Sequence, residues 1–286
     1  MSKLLVVGSL HYDIMVDAHH RPEKGETVIG TGCSFKFGGK GGNQAVSAAQ
    51  AGVEVVFCGA VGDDEHGKWL LEVLKKNHID SQRVEIIAGV ASGMSVATTD
   101  AEGDYGAVVL SNANTRIDAA QFSNAGVWSN VGMLLLQNEL PEEVNLQAAK
   151  AARQRGIPVC INAAPAKLLS PALQGCIDLL VVNAVEARDM SGMTVESLHD
   201  AALAAKLLNK DYPTVIVTAG GLGVAYSENK GNVQAIEAER VELVSTHGAG
   251  DCFMGTLCAS IMRGETLSTS VINANKAAAL HVSRKH

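Results

Sequence analysis

The chain has 286 residues, 47% of them hydrophobic, 4% aromatic and 19% charged, with a net charge of -7. This composition excludes a disordered chain, and the length suits one large α/β domain or two small ones. An acidic balance without a Lys/Arg run argues against nucleic acid and membrane as partners.

The first apolar run, residues 4–7, is too short for a leader or a membrane span. Six cysteines without a C-x-x-C pair read as reduced thiols in a core. The nine histidines show no metal-binding spacing. A cytoplasmic protein is the expectation.

Short aliphatic runs then alternate with helical patterns. Strands are predicted at 4–7, 53–57, 133–136, 158–161, 179–182 and 214–217. Helices are predicted at 41–51, 67–76, 142–155, 196–208, 250–262 and 268–282. Continuous apolar strands separated by helices imply a mostly parallel, doubly wound sheet covered on both faces. Two stretches depart from this rhythm. Residues 13–37 hold alternating, more polar strand segments, and 92–110 read as a hairpin of 94–99 and 105–110 around a turn at 100–104. Together they predict a small β-sheet lid set into a single α/β domain spanning residues 1–286. Exposed edges on such a sheet invite a homodimer.

The strongest motif is Ser245-Thr246-His247-Gly248-Ala249-Gly250-Asp251, after a strand-like run at 241–244 and before an apolar helix. Glycines there turn the backbone tightly and aim N–H groups from a helix N-terminus, a phosphate-binding arrangement. Asp251 would repel phosphate, so it fits a base that takes a proton from an attacking hydroxyl. It equally fits an ordinary acid in a first helical turn. A second block, Gly38-Gly39-Lys40-Gly41-Gly42-Asn43-Gln44-Ala45, opens another helix. Lys40 and Asn43 offer hydroxyl contacts, although the P-loop pattern is absent.

Weaker signals follow the strands. Asp13 lies just past the first, where open α/β sheets bind ligands. Asn183 and Glu186 form a polar pair, and Thr218, Gly220 and Gly223 offer a glycine-rich lining. Each also fits plain turn chemistry. Glu139 is either a solvated helix-start acid or a hydroxyl ligand.

In order and spacing, the glycine block at 38–43 and Gly248-Ala249-Gly250-Asp251 resemble the ribokinase/PfkB family of carbohydrate kinases. The resemblance includes Val61-Gly62-Asp63-Asp64 with Gly67, Asn162 with Pro165, and Asn183 with Glu186, from Val6 to about Arg284. It implies a ribokinase-like α/β fold and transfer of the γ-phosphate of ATP, with Mg²⁺, to a primary sugar hydroxyl. By the same resemblance Asp251 is the base, and Gly248, Ala249 and Gly250 form the anion hole. Asp13, Gly39, Lys40, Asn43 and Glu139 hold the sugar. Asn183 and Glu186 lie near phosphate and Mg²⁺. Thr218, Gly220 and Gly223 form the nucleotide loop, and Asn275 an adenine-side position.

Three departures qualify the resemblance. His11 stands where ribose-specific members carry Asn, so His11 is read as an acceptor-site residue. That leaves a nucleoside of the pseudouridine or adenosine type, or fructose, as alternative acceptors. Ser245 replaces an acid that helps to hold K⁺, and the sequence stops at Arg284-Lys285-His286, before further K⁺ ligands. A weak or absent K⁺ site is expected. Outside enzymes, the alternative is a sugar- or nucleotide-binding protein, against which Asp251 argues.

Overall fold

The computed structural model describes residues 2–102, 104–229 and 231–284. Gly103 of the predicted turn, together with Lys285 and His286, lies outside them. In chain order the elements begin with strands β1 (Lys3–Val7), β2 (His11–Asp17) and β3 (Gly32–Gly38). Helix α1 (Lys40–Gln50), β4 (Val55–Gly62), α2 (Glu65–Lys76), β5 (Asp80–Ile87), β6 (Met94–Thr99) and β7 (Tyr105–Leu110) follow. Then come β8 (Val131–Gln137), α3 (Glu142–Arg153), β9 (Val159–Asn162), α4 (Pro171–Gln174), β10 (Leu179–Asn183), α5 (Ala184–Ser191) and α6 (Leu198–Leu208). Strands β11 (Thr214–Thr218), β12 (Gly223–Glu228) and β13 (Val233–Glu237) lead to the closing helices α7 (Ala249–Met262) and α8 (Leu267–Val282).

Nine strands form the main sheet in the order β13-β12-β11-β10-β9-β8-β1-β4-β5. The run from β11 to β5 is parallel throughout, and β12 and β13 add an antiparallel edge. The alternation inside β1 shows why its strands read as unbroken apolar runs. Leu5 and Val7 face a core shared with α3, α4, α5 and α6, whereas Leu4 and Val6 face one shared with α1, α2, α7 and α8. The sheet is therefore doubly wound, as expected.

The second sheet has four strands in the order β3-β2-β6-β7, and its first strand begins at His11. Its hairpin β6–β7 has the predicted bounds. Both places where the chain crosses into this sheet are pinned. Asn114 donates from Nδ2 to the Leu10 carbonyl and accepts from the Leu10 N–H through Oδ1, each at 3.0 Å. Asp64 caps α2 at the Gly67 N–H and also accepts from the Ser92 N–H and hydroxyl at 2.8 and 2.6 Å. The Gly62-Asp63-Asp64 motif thus ties the end of β4 to the start of β6.

One strand expectation fails. Residues 241–244 form no strand. The Val244 N–H bonds the Val282 carbonyl at the end of α8, and Val241, Leu243 and Val244 are 36%, 63% and 45% exposed. With no strand partner, this apolar run becomes a cleft wall. No helix among the described residues is long and apolar enough to cross a membrane.

Candidate active site

The C-terminal ends of β1, β8, β10 and β11 open on the same side of the main sheet, because these strands are parallel. Helix α7 starts there. Its N-cap is Gly248, left-handed at φ 76°, a conformation that a Cβ would strain, and no side chain caps the helix. The Ala249 N–H makes only a long bond to the Thr246 carbonyl, 3.3 Å, and the next N–H groups of the first turn are left to a ligand, at the positive end of the helix dipole.

Two clefts meet at this turn. The first, about 890 Å³, is lined by Asn43, Ser47, His247, Gly248 and Asp251, with Lys36 from β3. The second, about 630 Å³, is lined by Asn183, Thr218, Gly220, Gly223, Ala249, Gly250 and Asn275. One helical turn therefore presents Asp251 to one cleft and Gly250 to the other. All the residues matched to the nucleotide, apart from Glu186, line the second cleft. His11, Asp13, Gly39, Lys40 and Glu139 line neither, yet hydrogen bonds and charge tie most of them to the first.

Asp251 is held by α1. Gln44 Nε2 donates to its Oδ1 at 2.9 Å, and Asn43 Nδ2 to its Oδ2 at 3.4 Å. Gln44 is fully buried and is itself fixed, donating also to Asn162 Oδ1 at 3.0 Å and accepting from Gln137 Nε2 at 2.9 Å. Burial pushes the Asp251 carboxyl above its ordinary pKa, while the Lys40 ammonium and the Gln44 hydrogen bond pull it back. A base with a raised pKa, held in one orientation, is suited to taking a proton from a hydroxyl.

Glu139 receives the Lys40 backbone N–H at 2.8 Å and the Ser9 hydroxyl, so it sits at the start of α1. It stabilises a helix remote in sequence, and its charge reaches Asp13 and Asp251. Gly39 caps that helix at φ 85°, and a Cβ there would lie 2.6 Å from the Ser9 carbonyl oxygen.

Asp13 pairs in register with Ser95 of β6, whose hydroxyl donates to it at 2.6 Å. Burial raises the Asp13 pKa, against the Ser95 bond and the charges of His11 and His247. His11 is 3% exposed, and its Nε2 has no partner.

Asn183 and Glu186 form a reciprocal capping box at the start of α5. Both Glu186 oxygens accept from Asn183, at 2.8 and 2.9 Å. Glu186 is buried, which raises its pKa, and Lys40 acts in the opposite direction. Lys40 thus exerts its charge on both Asp251 and Glu186. Asn275 Nδ2 donates to the Glu237 carbonyl at 2.9 Å, and Thr218 Oγ1 to the Val182 carbonyl at 3.5 Å.

Sequence reasoning gave no role to Gln44, Ser95 or Ser9. Gln44 stood inside a motif that it did quote, and only the fold brings it to Asp251. No three His, Cys, Asp or Glu side chains gather as a metal cluster among the described residues.

The profile of the "pfkB family carbohydrate kinase" matches residues 1–286. The chain is 36% identical over 284 residues to a ribokinase of Bacillus subtilis, covering 99% of this chain and 93% of that one. It is 33% identical over 299 residues to a ribokinase of Schizosaccharomyces pombe, covering 100% and 93%. The structure of Arabidopsis thaliana ribokinase complexed with ribose and ATP superposes with a TM-score of 0.92 at 27% identity, covering 100% of this chain and 94% of that one.

Proposed function

We propose how this chain, which belongs to the pfkB family of carbohydrate kinases and is a ribokinase-like sugar kinase, divides its work between the two clefts. ATP lies in the cleft lined by Thr218, Gly220, Gly223 and Asn275. The sugar lies at the other, held by Asp13, Gly39, Lys40, Asn43 and Glu139 under the small sheet, which acts as the lid. Its primary hydroxyl meets Asp251. The observation that carries this reading is the uncapped first turn of α7, shared by the two clefts.

Asp251 takes the hydroxyl proton as the oxygen attacks the γ-phosphorus. The N–H groups of Gly248, Ala249 and Gly250 stabilise the charge on the transferring phosphoryl group. Lys40, between Asp251 and Glu186, adds a fixed positive charge. Lid closure excludes water, the competing acceptor.

Mg²⁺ is commonly held by one or two carboxylates and the substrate phosphates, so no protein cage is needed. Glu186, at the start of α5, would lie near the ion, and its oxygens accept from Asn183 here. When bound, the ion would neutralise phosphate charge. Ser245 is neutral and accepts the His247 N–H at 3.3 Å, so it makes a poor K⁺ ligand. Phe35, Val108 and Leu110 expose apolar surface on the small sheet, which supports a homodimer through the lid.

The buried imidazole of His11, beside Asp13, favours a second reading, in which the acceptor is fructose or a nucleoside. ADP release with ATP and a panel of ribose, fructose, adenosine and pseudouridine separates the readings. Fastest turnover on ribose supports the first, and fastest turnover on another acceptor supports the second. No turnover on any of them overturns both.

A further inference from the structure

His247 is part of the phosphate-binding loop, yet the mechanism above gives its side chain nothing to do. Its backbone is fixed from both ends. The N–H bonds Ser245 Oγ at 3.3 Å, and the carbonyl accepts from His281 Nε2 of α8 at 2.9 Å. The next residue, Gly248, is locked left-handed at φ 76° against the same His281 ring. A residue pinned on both sides has a set side-chain direction.

That direction is into the first cleft, which His247 lines beside Asn43 and Asp251. Its ring is exposed there and has no hydrogen-bond partner among the described residues. Its charge reaches Asp13, which belongs to the other sheet. Asp13 and Glu139 only accept hydrogen bonds when ionised, and Lys40 only donates. An imidazole both donates and accepts, so it suits a hydroxyl that bonds a carboxylate on its other side.

We propose that His247 is a further acceptor-binding residue, reading the presence and configuration of a sugar hydroxyl between the α7 turn and Asp13. The inference rests on the proposed sugar site. Because His247 and the anion hole share one loop, a sugar seated against His247 is in register with the phosphoryl group.

The test compares wild type with His247→Leu and His247→Gln, on ribose, arabinose, xylose and 2-deoxyribose. Thermal melts establish that both variants fold, and the Gln variant, which keeps a polar group, stands in if Leu does not. His247→Leu should raise the KM of the best sugar about tenfold or more, leave the KM of ATP within about twofold, and shrink the kcat/KM ratio among the four sugars by a similar factor. His247→Gln should restore part of both effects. Unchanged sugar ratios, or an ATP KM that rises in parallel, would overturn the role of His247 while leaving the sugar site standing. If wild type phosphorylates neither these four nor fructose, adenosine or pseudouridine, the sugar site itself falls, and this inference with it.

Discussion

Replacing Asp251 by Asn separates the chemistry of this side chain from its place in the fold. The amide has nearly the same shape, and its oxygen can keep the 2.9 Å bond from Gln44. Its NH₂ would then face Asn43 Nδ2, where the carboxylate now accepts at 3.4 Å, at a cost of about 1 kcal/mol for one long hydrogen bond. Against that stands the relief of a buried charge. The folded-state pKa of Asp251 is raised, so the folded chain binds this proton more tightly than the unfolded chain does. The stability that proton provides is present at low pH and is lost as pH rises through the folded pKa. As pH rises through the folded pKa, wild type therefore takes on the cost of the ionised group, and the amide does not. Asp251→Asn should melt at the same temperature or higher at pH 7, with the difference fading in acid. Its kcat should fall about 10²–10⁴-fold, about 3–5 kcal/mol in the barrier, for loss of a general base. Thermal melts across pH, ATP titration calorimetry and coupled ADP-release kinetics measure the three quantities. A kcat near wild type refutes the base. A Tm several degrees lower at pH 7 refutes the account of the buried charge.

Gln44→Leu removes the shortest hydrogen bond that favours the Asp251 carboxylate, so the acid limb of the kcat/KM profile should move to higher pH. Asn162 and Gln137 also lose their partner, at about 1–3 kcal/mol of stability, and an unmoved acid limb would show that Gln44 does not tune the base. Gly248→Ala places a Cβ at φ 76° and 3.0 Å from His281 Nε2; it should cost about 1–2 kcal/mol in denaturant unfolding and lower kcat as the α7 turn shifts. Activity should depend little on K⁺, because Ser245 offers a hydroxyl where a carboxylate would attract the ion far more strongly. Initial rates in K⁺, Na⁺ and a bulky organic cation, at fixed Mg²⁺ and ionic strength, check this, and a rise of about tenfold with K⁺ alone contradicts it.

The sequence is most readable where local chemistry decides the structure. The parallel strands announce themselves by aliphatic runs, and the hairpin of β6 and β7 by alternation on either side of a turn. The α7 start is legible because two glycines and an Asp stand at the start of an apolar helix. It is least readable where packing overrules local preference. Strand β4 runs on through Gly59 and Gly62, beyond the apolar run expected to end at Phe57. Their glycines serve close approach, since a Cβ at Gly62 would lie 2.1 Å from the Val90 carbonyl oxygen. The run at 241–244 has strand residues but only a helix end for a partner. Gln44 meets Asp251 across 207 residues of sequence, and no local pattern can announce that contact. Ser95 likewise reaches Asp13 only through the register of β2 on β6.

Helix α7 is anchored behind its first turn by Phe253, Met254, Leu257 and Cys258, all buried in one core. Its N-terminus is therefore a fixed partition, with residues of β3 and α1 on one side, the loops after β10, β11 and β13 on the other, and α8 along both. The two sides share that turn and α8, which sends Ala277 and His281 to one and Asn275 and Ala278 to the other. On the proposed assignment of the two clefts, choice of acceptor and choice of phosphate donor are largely separable traits. On that assignment, substitutions in β2 or β3 should change what is phosphorylated with little effect on the donor, and those around Gly223 the reverse, whereas Lys40 of α1 acts on both sides. The α7 turn, Lys40 and α8 answer to both.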